Sequence, residues 1–128
     1  MTERTMLKKS ERDCPSFVAN DGCDIRELLH PKNDDVDLGF SLAIAEVAVG
    51  ARTYIHRLAQ SEVYFVIAGD GVAHVGDESS SVGVGDAVFI PPGKRQWIEN
   101  TGDRPLKFAA IVSPPWRAED DVREPGEG

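Results

Sequence analysis

Two side chains that could do chemistry, His56 and Glu62, stand six positions apart within residues 50–71. Alternation along an extended chain places His56 on the inner face of one short strand and Glu62 on the inner face of the next. The link at residues 59–61 is short enough for a hairpin, so we expect the two side chains to lie side by side. Imidazole and carboxylate groups both bind divalent metals and both transfer protons. The pair therefore predicts a metal site or an acid–base site.

Each of these residues also has a purely structural interpretation. His56 could be an interior histidine that is hydrogen-bonded to Glu62 or Gln96. An unpaired inward carboxylate is costly, so Glu62 should pair with His56, pair with a cation, or hold a proton through a raised pKa. Gln96 could complete a three-ligand site of one nitrogen and two oxygens, suited to Mn, Fe, Ni or Zn, or could donate hydrogen bonds to Glu62.

The neighbouring inward positions are mostly apolar and are expected to line a shared cavity. They are Tyr54, Leu58, Tyr64, Val66, Ile98, Phe108 and Ala110. The two tyrosines are expected to serve mainly as core residues, although their hydroxyl groups could orient a polar ligand. An apolar lining with a few polar groups suits a small organic molecule. Arg52 and Arg57 would attract an anionic substrate if they flanked the cavity mouth.

The elements that must position these residues are short strands separated by turn residues. Residues 40–49 are expected to form a strand between Gly39 and Gly50, residues 69–71 a hairpin turn, and residues 106–112 the last strand. Residues 1–20 could be a flexible arm or an edge strand, and residues 23–30 a strand or a short helical turn. The acidic tail after Pro115 is expected to be mobile except where Trp116 packs down. Many short strands and almost no helix predict one all-β domain, a sandwich or a barrel.

The bulk composition excludes several function classes. A formal net charge of -8 would repel nucleic acid and anionic membranes, so we expect neither as a partner. The first ten residues carry mixed charges, and no apolar run approaches the roughly 18 residues of a membrane-spanning helix. Cys14 and Cys23 are expected to be thiols, which together with the absent secretory signal predicts a cytoplasmic protein. No dinucleotide or Walker motif is present, so no nucleotide cofactor is expected.

Two spaced motifs resemble those of the cupin superfamily. The first has the form G-x5-H-x-H-x3-E-x6-G, matched by Gly50, His56, Glu62 and Gly69, with Leu58 at the second histidine position. The second has the form G-x5-P-x-G-x2-H-x3-N. It is matched by Gly85, Pro91, Gly93 and Asn100, with Gln96 at the histidine position. Eight of the ten positions match at fixed spacings, which is a specific indication of fold.

The resemblance implies a double-stranded β-helix, the jelly-roll or cupin barrel, which is commonly a homodimer. Its boundaries would be an N-terminal arm and first edge strand at 1–38, the barrel at 39–113 and an acidic tail at 114–128. Two histidines, a glutamate and a third histidine hold a divalent metal in such barrels, and here His56, Glu62 and possibly Gln96 remain. Leucine cannot bind a metal, and glutamine is a weak ligand. Trp97, on the outer face, would support a dimer, and His74 is expected at the surface or the dimer interface.

Two functions follow from these observations. The first is a small cytosolic cupin enzyme that holds Fe, Mn, Ni or Zn through His56, Glu62 and Gln96. It would act on a small polar or anionic metabolite as an oxidoreductase or isomerase, with His56 and Glu62 as catalytic residues. The second is a metal-free cupin that binds or senses a small molecule, with His56 and Glu62 gripping its hydroxyl or carbonyl group. The substitutions Leu58 and Gln96 favour the second function.

Overall fold

The computed structural model describes residues 6–18 and 23–126, which form two antiparallel sheets around one core. Asp21 and Gly22, a pair of residues typical of turns, lie outside these residues. Helical geometry within them is limited to two 3-10 turns, at Glu11–Asp13 and Ala118–Asp120. Across the two described ranges, no helix has the length and apolar character needed to cross a membrane. The all-β prediction is confirmed.

Eleven strands occur in the described residues. They are β1 (Ser16–Val18), β2 (Cys23–Leu29), β3 (Ser41–Val47), β4 (His56–Leu58), β5 (Ser61–Ala68), β6 (Asp70–Val75), β7 (Glu78–Gly83), β8 (Ala87–Ile90), β9 (Arg95–Glu99), β10 (Leu106–Ser113) and β11 (Asp121–Arg123). The first sheet has the spatial order β1-β2-β3-β10-β5-β8, and the second has the order β11-β4-β9-β6-β7. Two facing antiparallel sheets with this connectivity form a jelly-roll barrel, as the sequence predicted.

The core forms because alternate residues of both sheets point between them. Its fully buried members come from strands of both sheets and include Val47, Val66, Ile90, Ile98 and Leu106. Burying side chains of this kind stabilises a fold by about 1.5–3 kcal/mol each. The predicted strand at residues 40–49 is observed as β3, residues 23–30 contain β2, and β1 is an edge strand. The N-terminal arm is therefore part of the first sheet over Ser16–Val18.

Two predicted hairpins are wrong, because the chain changes sheets at both positions. β4 belongs to the second sheet and β5 to the first, so His56 and Glu62 lie on facing sheets and not on paired strands. The chain changes sheets again between β5 and β6, at Gly69. Gly69 has a φ of 80°, and an added Cβ would lie 2.5 Å from the Pro105 carbonyl oxygen. A tight corner with a close backbone neighbour, and not a hairpin, explains this glycine.

The C-terminal tail is also more ordered than the sequence suggested. β11 pairs antiparallel with β4, with Arg123 opposite His56. The Gln60 amide nitrogen donates to the Pro115 carbonyl oxygen at 3.2 Å and to Asp120 Oδ2 at 2.9 Å. Buried His30 accepts from the Lys32 backbone N–H at Nδ1, so its Nε2–H is the donor to the Trp116 carbonyl oxygen at 2.8 Å. These bonds fix the tail across one end of the barrel.

The outer face of the first sheet carries an exposed apolar strip. We define it as Val63, Phe65 and Ile67 of β5 with Ala87 and Phe89 of β8. The exposed fractions of Phe65, Ile67 and Phe89 are 44%, 42% and 62%. Trp97, on the second sheet, is in contrast covered by its own chain. Its ring stacks on His74 at 4.2 Å, and the Arg95 guanidinium lies 5.1 Å from it. Contacts within its own chain thus account for the packing of Trp97, and its role in a dimer stays a prediction.

Candidate functional site

A cavity of about 550 Å³ lies between the sheets at the end of the barrel that the tail covers. Its walls are mainly apolar and come from β2, β3, β4, β5 and β10. The polar side chains that reach it include His56, Glu62 and Tyr64, with Lys32, Asp121 and Arg123 near the tail. This volume is within the range of pockets that bind small organic molecules, roughly 300–1,000 Å³.

Glu62 is held by hydrogen bonding at the inner wall of this cavity. Gln96 of β9 donates its amide nitrogen to Glu62 Oε1 at 2.6 Å and to the Tyr64 hydroxyl oxygen at 2.9 Å. The exposed fractions of Glu62 and Gln96 are only 7% and 1%. The Tyr64 ring packs at 4.7 Å against Phe108, which fixes the hydroxyl group beside this pair. The Gln96 to Glu62 bond therefore joins the second sheet to the first inside a desolvated region.

Burial raises the pKa of Glu62 from 4.5 to about 7, because a carboxylate loses its hydration there. The hydrogen bond from Gln96 opposes this effect by favouring the charged form, and the negative charge of Asp121 adds to it. Burial also raises the pKa of Tyr64 well above its usual value, with Glu62 contributing. Near neutral pH, Glu62 can thus both accept and donate a proton, as a general acid–base group requires.

His56 has a defined orientation but does not pair with Glu62. Its Nδ1 lies 2.9 Å from the Tyr54 carbonyl oxygen. A carbonyl oxygen can only accept, so Nδ1 carries the proton and Nε2 of the neutral ring carries the lone pair. His56 lines the cavity, and its partner across β4 and β9 is Gln96. The three predicted ligand residues therefore come together from two sheets. Gln96 is the link between the other two: it is the strand partner of His56 and it donates a hydrogen bond to Glu62, whereas His56 and Glu62 are not bonded to each other.

The donor set does not fit the metal centre that the sequence resemblance implies. Gln96 faces Glu62 with its amide nitrogen, which cannot bind a metal, and it is not among the residues that line the cavity. Leu58 lines the cavity at the second histidine position and offers no donor atom. Within residues 6–18 and 23–126, no three histidine, cysteine, aspartate or glutamate side chains are grouped to hold a metal ion. Glu62 and Gln96 are thus arranged as a hydrogen-bonded pair, and His56 lines the same cavity as Glu62 without a side-chain hydrogen bond to either.

The predicted pocket residues divide into cavity wall and core. Four of them line the cavity, namely Tyr54, Leu58, Tyr64 and Phe108, as does Ala110. Ile98 and Val66 are fully buried in the core and are not among the lining residues. Arg52 and Arg57 do not line the cavity either. Arg57 is exposed and donates to the Gly93 carbonyl oxygen at 3.3 Å.

Several site residues lie in segments whose sequence predicts a loop or a mobile tail. Trp116 lines the cavity and donates its indole N–H to Asp121 Oδ2 at 3.1 Å. Asp121 and Arg123 face the cavity from β11, with Val122 pointing outward between them. The polar–apolar–polar alternation of residues 121–123 was the available indication of a strand. The tryptophan in an otherwise polar tail was an indication of docking.

A second polar cluster lies on the outer face of the second sheet. His74 contacts Ser79 Oγ through Nδ1 at 2.7 Å and Glu99 Oε1 through Nε2 at 2.5 Å. The order serine, histidine and carboxylate resembles that of a nucleophilic triad. However, none of the three residues lines the cavity, and they lie on neighbouring strands of an outer sheet face. We therefore assign this cluster to cross-strand stabilisation, and the surface location expected for His74 agrees with it.

Comparisons with known proteins identify relatives of this chain. A family model described as "Cupin domain" matches residues 43–112. An uncharacterized protein of Methanocaldococcus jannaschii is 39% identical over 121 residues, which cover 94% of this chain and 96% of the relative. A predicted oxalate decarboxylase from Thermotoga maritima superposes with a TM-score of 0.75 and 20% identity, over 84% of this chain and 99% of that one. A Streptomyces PAC13 structure with uridine superposes with a TM-score of 0.75 and 21% identity, over 94% and 92%. At these identities the two structures show a shared fold.

The unfolding free energy of Glu62→Gln, relative to that of the wild type, should increase as pH rises from about 5 to 7. Because the folded pKa of Glu62 is about 7 and the ordinary value is 4.5, the native state binds more protons than the unfolded state between these values. The wild type should therefore lose up to ~1.4 kcal/mol of unfolding free energy per pH unit from this group between about pH 5 and 7. Glutamine does not titrate, so the difference between variant and wild type should grow over that interval. Urea denaturation at pH 5, 6, 7 and 8 measures it.

The matched control for this measurement is Glu78→Gln, which changes an exposed glutamate on β7. It should alter the unfolding free energy by less than ~0.5 kcal/mol at any of these pH values. A Glu62→Gln difference that stays constant from pH 5 to 8 would contradict a raised pKa at Glu62.

Proposed function

Because this chain belongs to the cupin family, we propose that its barrel cavity binds a small polar or anionic metabolite and that Glu62 transfers a proton to or from it. One observation is the main support for this proposal. A buried carboxyl group with a pKa of about 7 forms part of the wall of the cavity. Proton-transfer chemistry of this kind corresponds to isomerase or dehydratase reactions.

The cavity supports this proposal through its size and its chemistry. Its apolar wall would bury the body of a small organic molecule, while a few polar groups fix the orientation. The structural relatives are consistent with small-molecule chemistry, since they include a nucleoside dehydratase and a polyketide cyclase. Their identities of 20% and 21% with this chain transfer no substrate to it.

Glu62 and His56 have distinct tasks in the proposed reaction. As the base, the Glu62 carboxylate removes a proton from a carbon or oxygen atom of the bound molecule, and as the acid it returns that proton to another atom. The Gln96 amide stays on Glu62 Oε1 and holds the carboxyl group in place. His56 keeps its proton on Nδ1, so its Nε2 accepts a hydrogen bond from a hydroxyl group of the molecule. General acid–base catalysis of this kind contributes typically 10²–10⁴-fold in rate.

A metal-dependent enzyme is the competing function, and one observation favours it. A histidine that donates its Nδ1–H to a backbone carbonyl, as His56 does, is oriented in the manner of metal-binding histidines. Fe, Mn, Ni or Zn would then be held by His56 and Glu62, with two of the family's four positions occupied by Leu58 and Gln96. A metal-free binding or sensing module is the remaining alternative.

The experiment compares wild type and Glu62→Gln on a low-molecular-mass metabolite extract in D₂O. The protein is first dialysed against a chelator, and the extract is analysed by mass spectrometry for consumption and deuterium incorporation. We expect the metal-depleted wild type to consume or deuterate at least one component. The rate with Glu62→Gln should be lower by a factor of about 100 or more. Glu78→Gln should match the wild type.

Other results would select the competing functions. Activity that disappears on chelation and returns with about one equivalent of Fe, Mn, Ni or Zn would contradict metal-independent chemistry and establish the metal enzyme. A component that is retained by the protein without being altered, equally by wild type and Glu62→Gln, would establish a binding module. Equal turnover by Glu62→Gln and the wild type would overturn the role of Glu62.

We also propose that two copies of the chain form a homodimer through the apolar strip. None of its five residues is charged, although the chain carries a net charge of -8, so two acidic copies repel least where these faces meet. β8 is the last strand in the order of the first sheet, so its outer edge is unpaired within the described residues. An exposed apolar edge strand is an association site unless it is covered.

Phe89→Lys should therefore yield a monomer, because a charge would be buried at the centre of the contact. Sedimentation velocity at micromolar concentration measures the change. Val122→Lys is the control, since Val122 is exposed on β11 of the opposite sheet. A wild type that sediments as a monomer, or a Phe89→Lys variant that stays dimeric, would contradict this interface.

A further inference from the structure

We propose that Arg123 binds a carboxylate group of the molecule in the cavity, so that the substrate is a small monocarboxylate with an apolar body. This inference rests on the proposed small-molecule function and specifies its substrate class. It comes from the C-terminal strand β11, which contributes Asp121 and Arg123 to the cavity mouth.

The position of Arg123 is set by strand pairing and by an aromatic platform. Arg123 lies opposite His56 in the antiparallel pair of β11 and β4, so their side chains share one face of the sheet. The Arg123 guanidinium carbon lies 3.6 Å from the centroid of the Tyr54 ring. Tyr54, His56 and Arg123 all line the cavity. A group bound by Arg123 would therefore lie on the same sheet face as the His56 ring.

Stacking leaves the hydrogen-bonding capacity of Arg123 available. A guanidinium group stacks through its flat face, whereas its five N–H bonds lie in the plane and point outward. In the described part of the chain, no carboxylate forms an ion pair with Arg123. The other cation at the mouth is engaged, since Lys32 lies 3.5 Å from Glu27 and 5.5 Å from the Trp116 ring. Arg123 thus presents a planar fork that matches the two oxygens of a carboxylate.

The surrounding charges select a single negative charge. Glu62 and Asp121 also line the cavity, and Lys32 is paired there with Glu27, so a dianion such as a phosphate monoester would meet two further acidic side chains with one unpaired arginine. The remaining walls near the mouth are apolar or aromatic, including Trp116, Leu58 and Val112. A monocarboxylate would place its charge at Arg123 and its apolar body inside the barrel.

The test uses benzoate and its neutral analogue benzamide as probes, with Trp116 as the reporter. The chain has two tryptophans, so Trp97→Phe leaves Trp116, in the cavity wall, as the only one. We expect benzoate to change the Trp116 emission at constant ionic strength, and Arg123→Gln to weaken benzoate binding about tenfold or more. That loss corresponds to about 1.4 kcal/mol, within the range of charged hydrogen bonds. Benzamide binding should not change with Arg123→Gln.

Arg57→Gln is the matched control, because Arg57 is the neighbouring arginine on β4 and does not line the cavity. It removes the same net charge and should change benzoate affinity by less than about twofold, since an exposed charge outside the cavity is screened. If Arg57→Gln and Arg123→Gln lowered the benzoate affinity equally, the loss would be explained by the change in net charge. That result would overturn the specific role of Arg123. Absence of any benzoate response in the wild type would overturn the carboxylate class. In both cases the metabolite assay with Glu62→Gln still decides the proposed function separately.

Discussion

The hydrogen bond from Gln96 to Glu62 is the interaction on which the site depends. It crosses the barrel from β9 of the second sheet to β5 of the first, at 2.6 Å and nearly out of contact with water. A buried carboxylate without a partner would cost several kcal/mol, and this bond offsets part of that cost. Burial still dominates, so the pKa of Glu62 rises to about 7. The same contact therefore supports the packing of the two sheets and prepares a group for proton transfer.

The tail turns this buried pair into an enclosed site. His30 and Gln60 hold the backbone carbonyls of Trp116 and Pro115, which brings β11 alongside β4. Asp121 then lies close enough to Glu62 to contribute to its raised pKa. Arg123 reaches the mouth in register with His56. A segment of low hydrophobicity is ordered here because buried side chains elsewhere in the chain satisfy its backbone groups.

Much of the fold could be predicted from the sequence, whereas the contacts between the site residues could not. Alternation identified the strands that carry His56, Glu62 and Gln96, and motif spacing identified the barrel. Local patterns cannot report which sheet a strand joins, so β4 and β5 were wrongly paired across a short link that is in fact a corner. Order in the tail depends on His30 and Gln60, which lie about 86 and 55 residues from their partners in sequence. Local patterns could indicate a strand at residues 121–123 and docking at Trp116, but they could not identify these distant partners.

The measurement that tests the central claim most directly is the ionisation of Glu62 itself. Carbon-13 labelling of the glutamate side-chain carboxyl groups would allow each to be titrated by NMR in the wild type and in Glu62→Gln. One carboxyl resonance should titrate with a midpoint near pH 7 and be missing from the variant, as burial against Gln96 requires. If every glutamate carboxyl titrates near the ordinary value of 4.5, then Glu62 is not a proton-transfer group at neutral pH and the account fails.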